Sequence, residues 1–335
     1  MQSPFTGGEV KLLSEKKEFE FRREKFQVVN FYYQCVDTKE EFATDELDVL
    51  NTNQLYNQYR EKYSIPFPDE IRQIREQYDI AASKMSDVLG LGANSYRHYE
   101  AGEMPTVANG RLIQAAKDPL EFKKFVDASR AVLTQKDFDK YKIRTEELID
   151  AARENLFEKL FQEQIFIYSK PSEFTGYKAP SIEKIAHTIS YFCITVENLW
   201  KTKLNKLLFY SDFLNYKRTG FSISGMAYRA IQVGPVPSEY DKLYVKLIDD
   251  EKFDVEFVSF ENGYVGEALK NKIEFNIALF NDSEMNLLKD VVKEFAKKTS
   301  TEIVELSHKE KGWLENERKH EMISYQKYAF ELNAL

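Results

Sequence analysis

Asn94, Ser95, Arg97 and His98 lie within five consecutive positions, just after Gly90-Leu91-Gly92. Such side chains can read base edges. Asn pairs bidentately with adenine and Arg with guanine, each good contact giving ~1–3 kcal/mol of discrimination. Lys84 and Ser95 could add phosphate contacts, which position without specifying. A second set, His187, His308 and His320 with Glu183, Asp212, Glu321 and Cys193, has the residue types of an acid–base or metal site. Its spacing supports neither. The chain has no His-Glu-x-x-His, no Gly-rich phosphate loop and no Gly-x-Ser-x-Gly. The expectation is a non-enzyme with no catalytic residue, no cofactor and no metal.

The elements that must hold the first set are short. Ser83 to Leu89 reads as a helix capped by Ser83, with Ala82, Met85 and Leu89 inward. Gly90 to Gly92 is the turn. Ala93 to Glu100 is a second helix, with Tyr96 and Tyr99 inward and Asn94, Ser95, Arg97 and His98 outward. Two short helices across a tight turn are the geometry that presents a polar helix to a DNA groove. A helical hairpin with a solvated polar face fits the same spacing.

Elsewhere, Gln2 to about Asn53 is rich in aromatic and β-branched residues, with a turn at Gly7-Gly8. Asp45 to Tyr63 reads as a helix with Leu47, Leu50, Leu55 and Tyr59 on one broad face, and Ile65-Pro66-Phe67-Pro68 is a break. Phe122, Phe125, Val126 and Leu133 suit one helix. Leu148, Ala151, Ala152, Leu156, Leu160 and Phe161 suit another. Ser169 to Pro180 has linker composition. Ser181 caps a helix over Ile182 to Phe192, and further helices are expected at Thr202–Thr219, Ser238–Ile248, Ser283–Thr299 and Thr301–His308. Gly234-Pro235 should break a strand-like run, and Val255–Val258 with Gly263–Val265 could form a hairpin.

Composition sets the bounds. The 335 residues are 43% hydrophobic and carry a net charge of -8, so ordinary cores are possible and wholesale nucleic-acid binding is not indicated. Cys35 and Cys193 are too few and too separated for a disulfide scaffold, which fits a cytoplasmic protein. No apolar run approaches the ~20 residues of a membrane span.

The segment SKMSDVLGLGANSYRHYEAGEMP resembles the Xre-type helix-turn-helix of antitoxin repressors, with Tyr99-Glu100-Ala101-Gly102 after the recognition helix. It is similar in particular to the MqsA (YgiT-type) antitoxins. There an Asn near the helix start and an Arg four residues later read bases. Asn94 matches the Asn. His98 holds the Arg position with Arg97 beside it, so the resemblance leaves either as the second base contact. That family also carries an N-terminal zinc unit with two Cys-x-x-Cys pairs. Here Ser3-Pro4-Phe5-Thr6 and Cys35-Val36-Asp37-Thr38 stand in their places. One thiolate cannot hold structural zinc, which takes four ligands. A zinc-less module follows, stabilised by Phe19, Phe21, Phe26, Phe31, Tyr33 and Phe42, with Cys35 a small buried hydrophobe.

Lys203 to Tyr210 (Lys-Leu-Asn-Lys-Leu-Leu-Phe-Tyr), Gly234-Pro235-Val236-Pro237, Ser307-His308 and Gly312-Trp313 together resemble the Panacea, or SocA-like, antitoxin domain over roughly Ile182 to Tyr328. That resemblance implies toxin neutralisation by direct binding. Tyr210, Tyr228, Arg229 and Trp313 are the candidate toxin contacts. Aromatic stripes of this kind more often pack inside.

The expected chain is mainly α, an α+β multi-domain protein. A zinc-less β-rich module fills residues 1–66, a five-helix helix-turn-helix domain 67–130, a helical connector and linker 131–180, and a mostly helical Panacea domain 181–335. The expected function is that of a type II antitoxin with a cognate toxin and operator DNA as partners, acting as a homodimeric autorepressor away from any membrane. The alternative is a transcriptional regulator or protease adaptor with a protein-sensing C-terminal domain and no toxin.

Overall fold

In the computed structural model, residues 1–154, 165–259 and 265–334 are described. The protein is mainly helical, with an N-terminal β-hairpin sheet. It divides into two compact units, Met1–Leu55 with Glu163–Leu335, and Tyr56–Gln162.

The first unit opens with β1 (Val10–Phe21) and β2 (Glu24–Cys35), antiparallel from Val10↔Cys35 to Phe21↔Glu24. The two-residue turn Arg22-Arg23 has φ of 50° and 69°, the positive values that match strand twist in tight hairpins. β3 (Glu41–Phe42) pairs only with Tyr33 and Gln34. Beyond it, the open edge of β2 is covered by α1 (Asp45–Tyr63), within which the division between the units falls. Gln54 accepts from the Val29 amide and donates to its carbonyl, both at 2.9 Å, and Asn51 does the same for Phe31 at 2.9 Å. Of the six aromatics expected as this module's core, only Phe26 is buried; the others are half-buried. Two strands have too little thickness to enclose rings of their own. Phe31 instead packs on Phe330, ring centroids 5.4 Å apart, so the hairpin and the C-terminal residues share one body.

The rest of this unit surrounds one helix. α8 (Ile182–Thr195) starts where expected, Ser181 accepting from the Lys184 amide at 3.2 Å. α9 (Lys201–Thr219) is buried continuously from Lys203 to Tyr216 and stops at Gly220, φ 79°. Around it lie the hairpin β4 (Tyr228–Ile231) and β5 (Gly234–Pro237), α10 (Tyr240–Asp249), the hairpin β6 (Phe253–Ser259) and β7 (Val265–Asn271), α11 (Asp282–Phe295), α12 (Ser300–Ser307), α13 (Lys311–Leu314) and α14 (Tyr325–Tyr328).

Several local expectations are corrected. Gly234-Pro235 is not a break but the start of β5, with Ile231 opposite Gly234 and Ala230 opposite Pro235. Gly234 takes φ 95°, which frees the chain to turn at Gln232-Val233. The strand runs through Pro237, so the next helix starts at Tyr240 rather than Ser238. The single helix expected over 283–299 ends at Phe295, because Thr299 is engaged as the cap of α12, in a capping box with Glu302. The linker composition of 169–180 misleads. Thr175 and Tyr177 are buried, the Ser222 amide donates to the Gly176 carbonyl at 2.9 Å, and Ser222 Oγ donates to the Thr175 carbonyl at 2.7 Å. The β6–β7 pairing realises the second hairpin, Val255 facing Leu269. Gly263 lies outside the described residues, as do Leu156, Leu160 and Phe161.

The second unit holds the five short helices expected after the proline break: α2 (Pro68–Glu76), α3 (Ala82–Val88), α4 (Ser95–Glu100), α5 (Val107–Ala115) and α6 (Pro119–Ala128). The longer α7 (Gln135–Glu154) follows. Leu133 lies between α6 and α7 rather than on a helix, yet joins the same core as Phe122 and Val126. Tyr78 stacks on Phe122 at 3.7 Å and donates to the Ala116 carbonyl at 2.7 Å.

Candidate functional site

α9 explains the C-terminal part of the sequence. Between Lys203 and Tyr216 every residue is buried, the polar ones included. A buried polar group must find a partner or cost stability. Most of these polar side chains bind neighbouring segments, while Ser211 Oγ donates to the Leu207 carbonyl of the helix itself. Lys203 Nζ donates to the Ala296 carbonyl at the end of α11, 2.7 Å. Lys206 Nζ donates to the Pro235 carbonyl on β5, 3.0 Å. Tyr210 donates to Glu310 Oε1, 3.2 Å. Asp212 accepts from the amides of Ile223 (2.9 Å) and Ser224 (2.8 Å), from Ser224 Oγ (2.5 Å) and from the Tyr228 hydroxyl (2.7 Å). Asn215 Nδ2 donates to the Phe221 carbonyl, 2.9 Å.

The separated sequence elements converge at Lys206. A Cβ on Gly234 would sit 2.5 Å from Lys206 Cε and 2.5 Å from Ser307 Oγ, so glycine is required for the lysine to reach the Pro235 carbonyl. The next residue, His308, lies flat against Trp313, ring centroids 3.9 Å apart and planes 12° from parallel. Trp313 Nε1 in turn donates to the Ile231 carbonyl of β4 at 2.7 Å. Gly312 leaves room for Ile323, whose Cγ2 is 2.8 Å from where a Cβ would stand.

The electrostatics follow from burial. Lys206 has no carboxylate in ion-pair range among the described residues, and desolvation lowers its pKa from 10.5 to about 7. His308 is lowered by burial first and then by the Lys206 charge. Burial pushes Asp212 up, against the pull of its hydrogen-bond donors, and pushes the phenol of Tyr228 well above 10.0. Glu310 is raised by burial too.

This geometry revises the role of two expected contacts. Tyr210 and Tyr228 are fully enclosed, their hydroxyls bound internally, and neither is presented to a partner. Arg229 and Trp313 are half-buried, near the exposed hairpin turn Gln232-Val233 and the exposed Leu314. The sequence offered Asp212 only among acid–base residue types and Lys206 only within the Lys203–Tyr210 motif, and gave no sign of Glu310. The available signal was charge inside an otherwise apolar helix, Lys203 and Lys206 one turn apart. The histidines are scattered. His187 Nδ1 accepts from the Asn276 amide, and His320 Nδ1 lies 3.3 Å from the Ala230 carbonyl. Among the described residues no three His, Cys, Asp or Glu side chains cluster as a metal site.

In the second unit, α4 begins at Ser95, not Ala93. Asn94 precedes it in the left-handed region at φ 61°, and its side chain makes no capping bond. α3 begins at Ala82 with Ala81 at its cap position, which places the exposed Ser83 inside the first turn. Ser86, inside α3, satisfies the first turn of α4, its Oγ accepting from the Tyr96 amide at 3.1 Å. Tyr96 and Tyr99 are buried as expected, Tyr96 donating to the Ile71 carbonyl at 2.7 Å. Asn94, Arg97 and His98 are exposed and Ser95 half-exposed. Lys84 lies 3.3 Å from Asp87, and His98 3.9 Å from Glu103. Glu100 receives Arg75 Nε at 2.5 Å, and Gly102 ends the segment at φ 107°. Both Glu and Gly of the Tyr-Glu-x-Gly sequence are thus structural.

At the N-terminus, Ser3, Thr6 and Thr38 gather on Cys35. The thiol is fully enclosed, Thr6 Oγ1 is 3.5 Å away, and hydrogen bonds from Ser3, Thr38 and Thr6 lower its pKa to about 6.

Residues 204–314 match the family described as "Antitoxin SocA-like, Panacea domain". The similarity is to that domain over this span alone, which contains Lys206, Gly234, Ser307, His308 and Trp313. No curated protein and no solved structure matches the chain. Among the described residues, no helix is long and apolar enough to cross a membrane.

Proposed function

We propose that the protein is the antitoxin of a type II toxin–antitoxin pair, neutralising its toxin by direct binding through the Panacea domain. The family match over 204–314 is the observation that carries this reading. The contact face is proposed on the outer side of the Lys206 cluster. There Arg229 and Trp313 are half-buried, and Gln232, Val233 and Leu314 stand in solvent. Tyr210 and Tyr228 support this face from beneath. A half-buried Trp beside exposed apolar residues is the usual make-up of an energetic hot spot.

The same reading assigns autorepression to the second unit. Its support is the polar surface at α4, where Asn94 just before the helix and Arg97 and His98 on it face solvent while Tyr96 and Tyr99 anchor it. Ser95 and Lys84 would hold phosphates. A homodimer would set two such helices in successive major grooves, ~34–36 Å apart. Toxin occupancy and operator affinity would then be linked.

Co-expression with the product of the adjacent gene, scored for growth, tests the first part. Rescue by the wild type but not by a Trp313→Ala, Leu314→Asp variant that still folds is the expected result. Growth arrest despite the wild-type chain would refute it.

A further inference from the structure

A cavity of about 250 Å³ lies beside α9, walled by Trp200, Val233, Val236 and Tyr240, with Asn205 and Lys206 among its lining residues. We propose that this cavity is a binding site for a small monocarboxylate with a flat apolar body. The reading is independent of toxin neutralisation and goes beyond it.

Three observations carry it. The first is the donor set. Lys206 is 0% exposed and offers three N–H donors, of which the Pro235 carbonyl takes one. Asn205 is 3% exposed, and its side-chain oxygen is taken by the Tyr244 hydroxyl at 2.5 Å. Its NH₂ group is left without a partner among the described residues. The Asn205 amide group and, when protonated, Lys206 thus have unused donor capacity. A buried lysine with no carboxylate in range gives up its proton readily, and an anion beside it would stabilise the charged form.

The second is the charge at the rim. Lys201 sits between Asp241 (2.8 Å) and Glu267 (3.0 Å), so this trio is net negative. With Lys206 charged, the two lysines only balance Asp241 and Glu267, so the site has no excess positive charge for a phosphate dianion. The site has no Arg fork of the kind that commonly recognises phosphate.

The third is size and lining. Drug-sized ligands occupy roughly 300–1,000 Å³, so this space suits a smaller molecule. Trp200 and Tyr240 are its aromatic lining, with Lys201 Nζ 5.2 Å from the centre of the Tyr240 ring.

The test is calorimetric titration of the full-length protein with benzoate and, separately, with uncharged benzamide of the same shape and with inorganic phosphate. One-to-one binding of benzoate, at least tenfold tighter than either comparator, is expected. Lys206→Met should reduce benzoate to the benzamide level. Thr202→Trp, which fills the cavity and leaves the lysine in place, should abolish both. Circular dichroism and melting of each variant separate lost binding from lost fold. Equal affinity for benzoate and benzamide, tighter binding of phosphate, or no heat with any of the three would overturn the proposal. The assay contains no toxin, so its failure would leave growth rescue untouched.

Discussion

The hydroxyl of Tyr228 donates to Oδ2 of Asp212 at 2.7 Å, with both groups wholly buried. Through this contact and three others, one carboxylate on α9 holds the loop of Ile223 and Ser224 and the start of β4. Removing one member of a buried charged network leaves the others unsatisfied, a loss of about 3–5 kcal/mol. Asp212→Ala should fall in that range by urea unfolding. Tyr228→Phe removes a single hydrogen bond to a charged group, about 1.5–3 kcal/mol. Unfolding midpoints unchanged from wild type would show that the network contributes nothing.

Lys206 makes a pH prediction whose sign is fixed. Its folded pKa, about 7, lies below the unfolded value near 10.5. Between these the unfolded chain binds the extra proton, so stability rises with pH over that window and is least below it, by up to about 1.4 kcal/mol per unit. The difference between wild type and Lys206→Met, measured from pH 7 to 9, isolates this slope from other groups. Parallel curves for the two proteins would contradict it.

Asn94 sits at φ 61°, a conformation that Gly adopts freely and Ala does not. Asn94→Gly should therefore keep the melting temperature, while Asn94→Ala costs some stability. Both should lose operator discrimination by ~1–3 kcal/mol at one base pair, read by competition binding at fixed salt, with growth rescue intact. Wild-type discrimination by the Gly variant would exclude Asn94 as a base contact.

Ser3, Thr6 and Thr38 all interact with Cys35. Substituting all three by Cys should create tetrahedral zinc binding at one ion per chain, with a melting temperature that falls on chelation. The wild type should show no such dependence. A triple variant that takes up no zinc would mean that the four side chains do not converge closely enough.

Legibility in the sequence differed with the scale of the interaction. Helix starts with local chemistry were readable, as at Ser181, and so were the inward Tyr96 and Tyr99, because period and capping act within a few residues. Ser86 could not be recognised as the acceptor for Tyr96, since that bond depends on how α3 meets α4. Residues 169–180 carry turn-forming composition but are fixed by Ser222, nearly fifty positions later. Gly234-Pro235 carried a breaker signal while serving as an edge strand, where a missing N–H costs little. Lys206 was visible only as a charge out of place. Its significance needed Gly234 and Ser307 beside it.

The amides of Asn51 and Gln54 have one more consequence. A long hairpin with bare peptide groups along a flank is a template on which further copies can stack. Here two side chains of α1 occupy that flank at Val29 and Phe31. The opposite flank, β1, carries Lys11, Glu15, Lys16 and Lys17 in solvent. Replacing both amides with leucines should unmask the ribbon and favour fibrillar association, read by dye binding and light scattering.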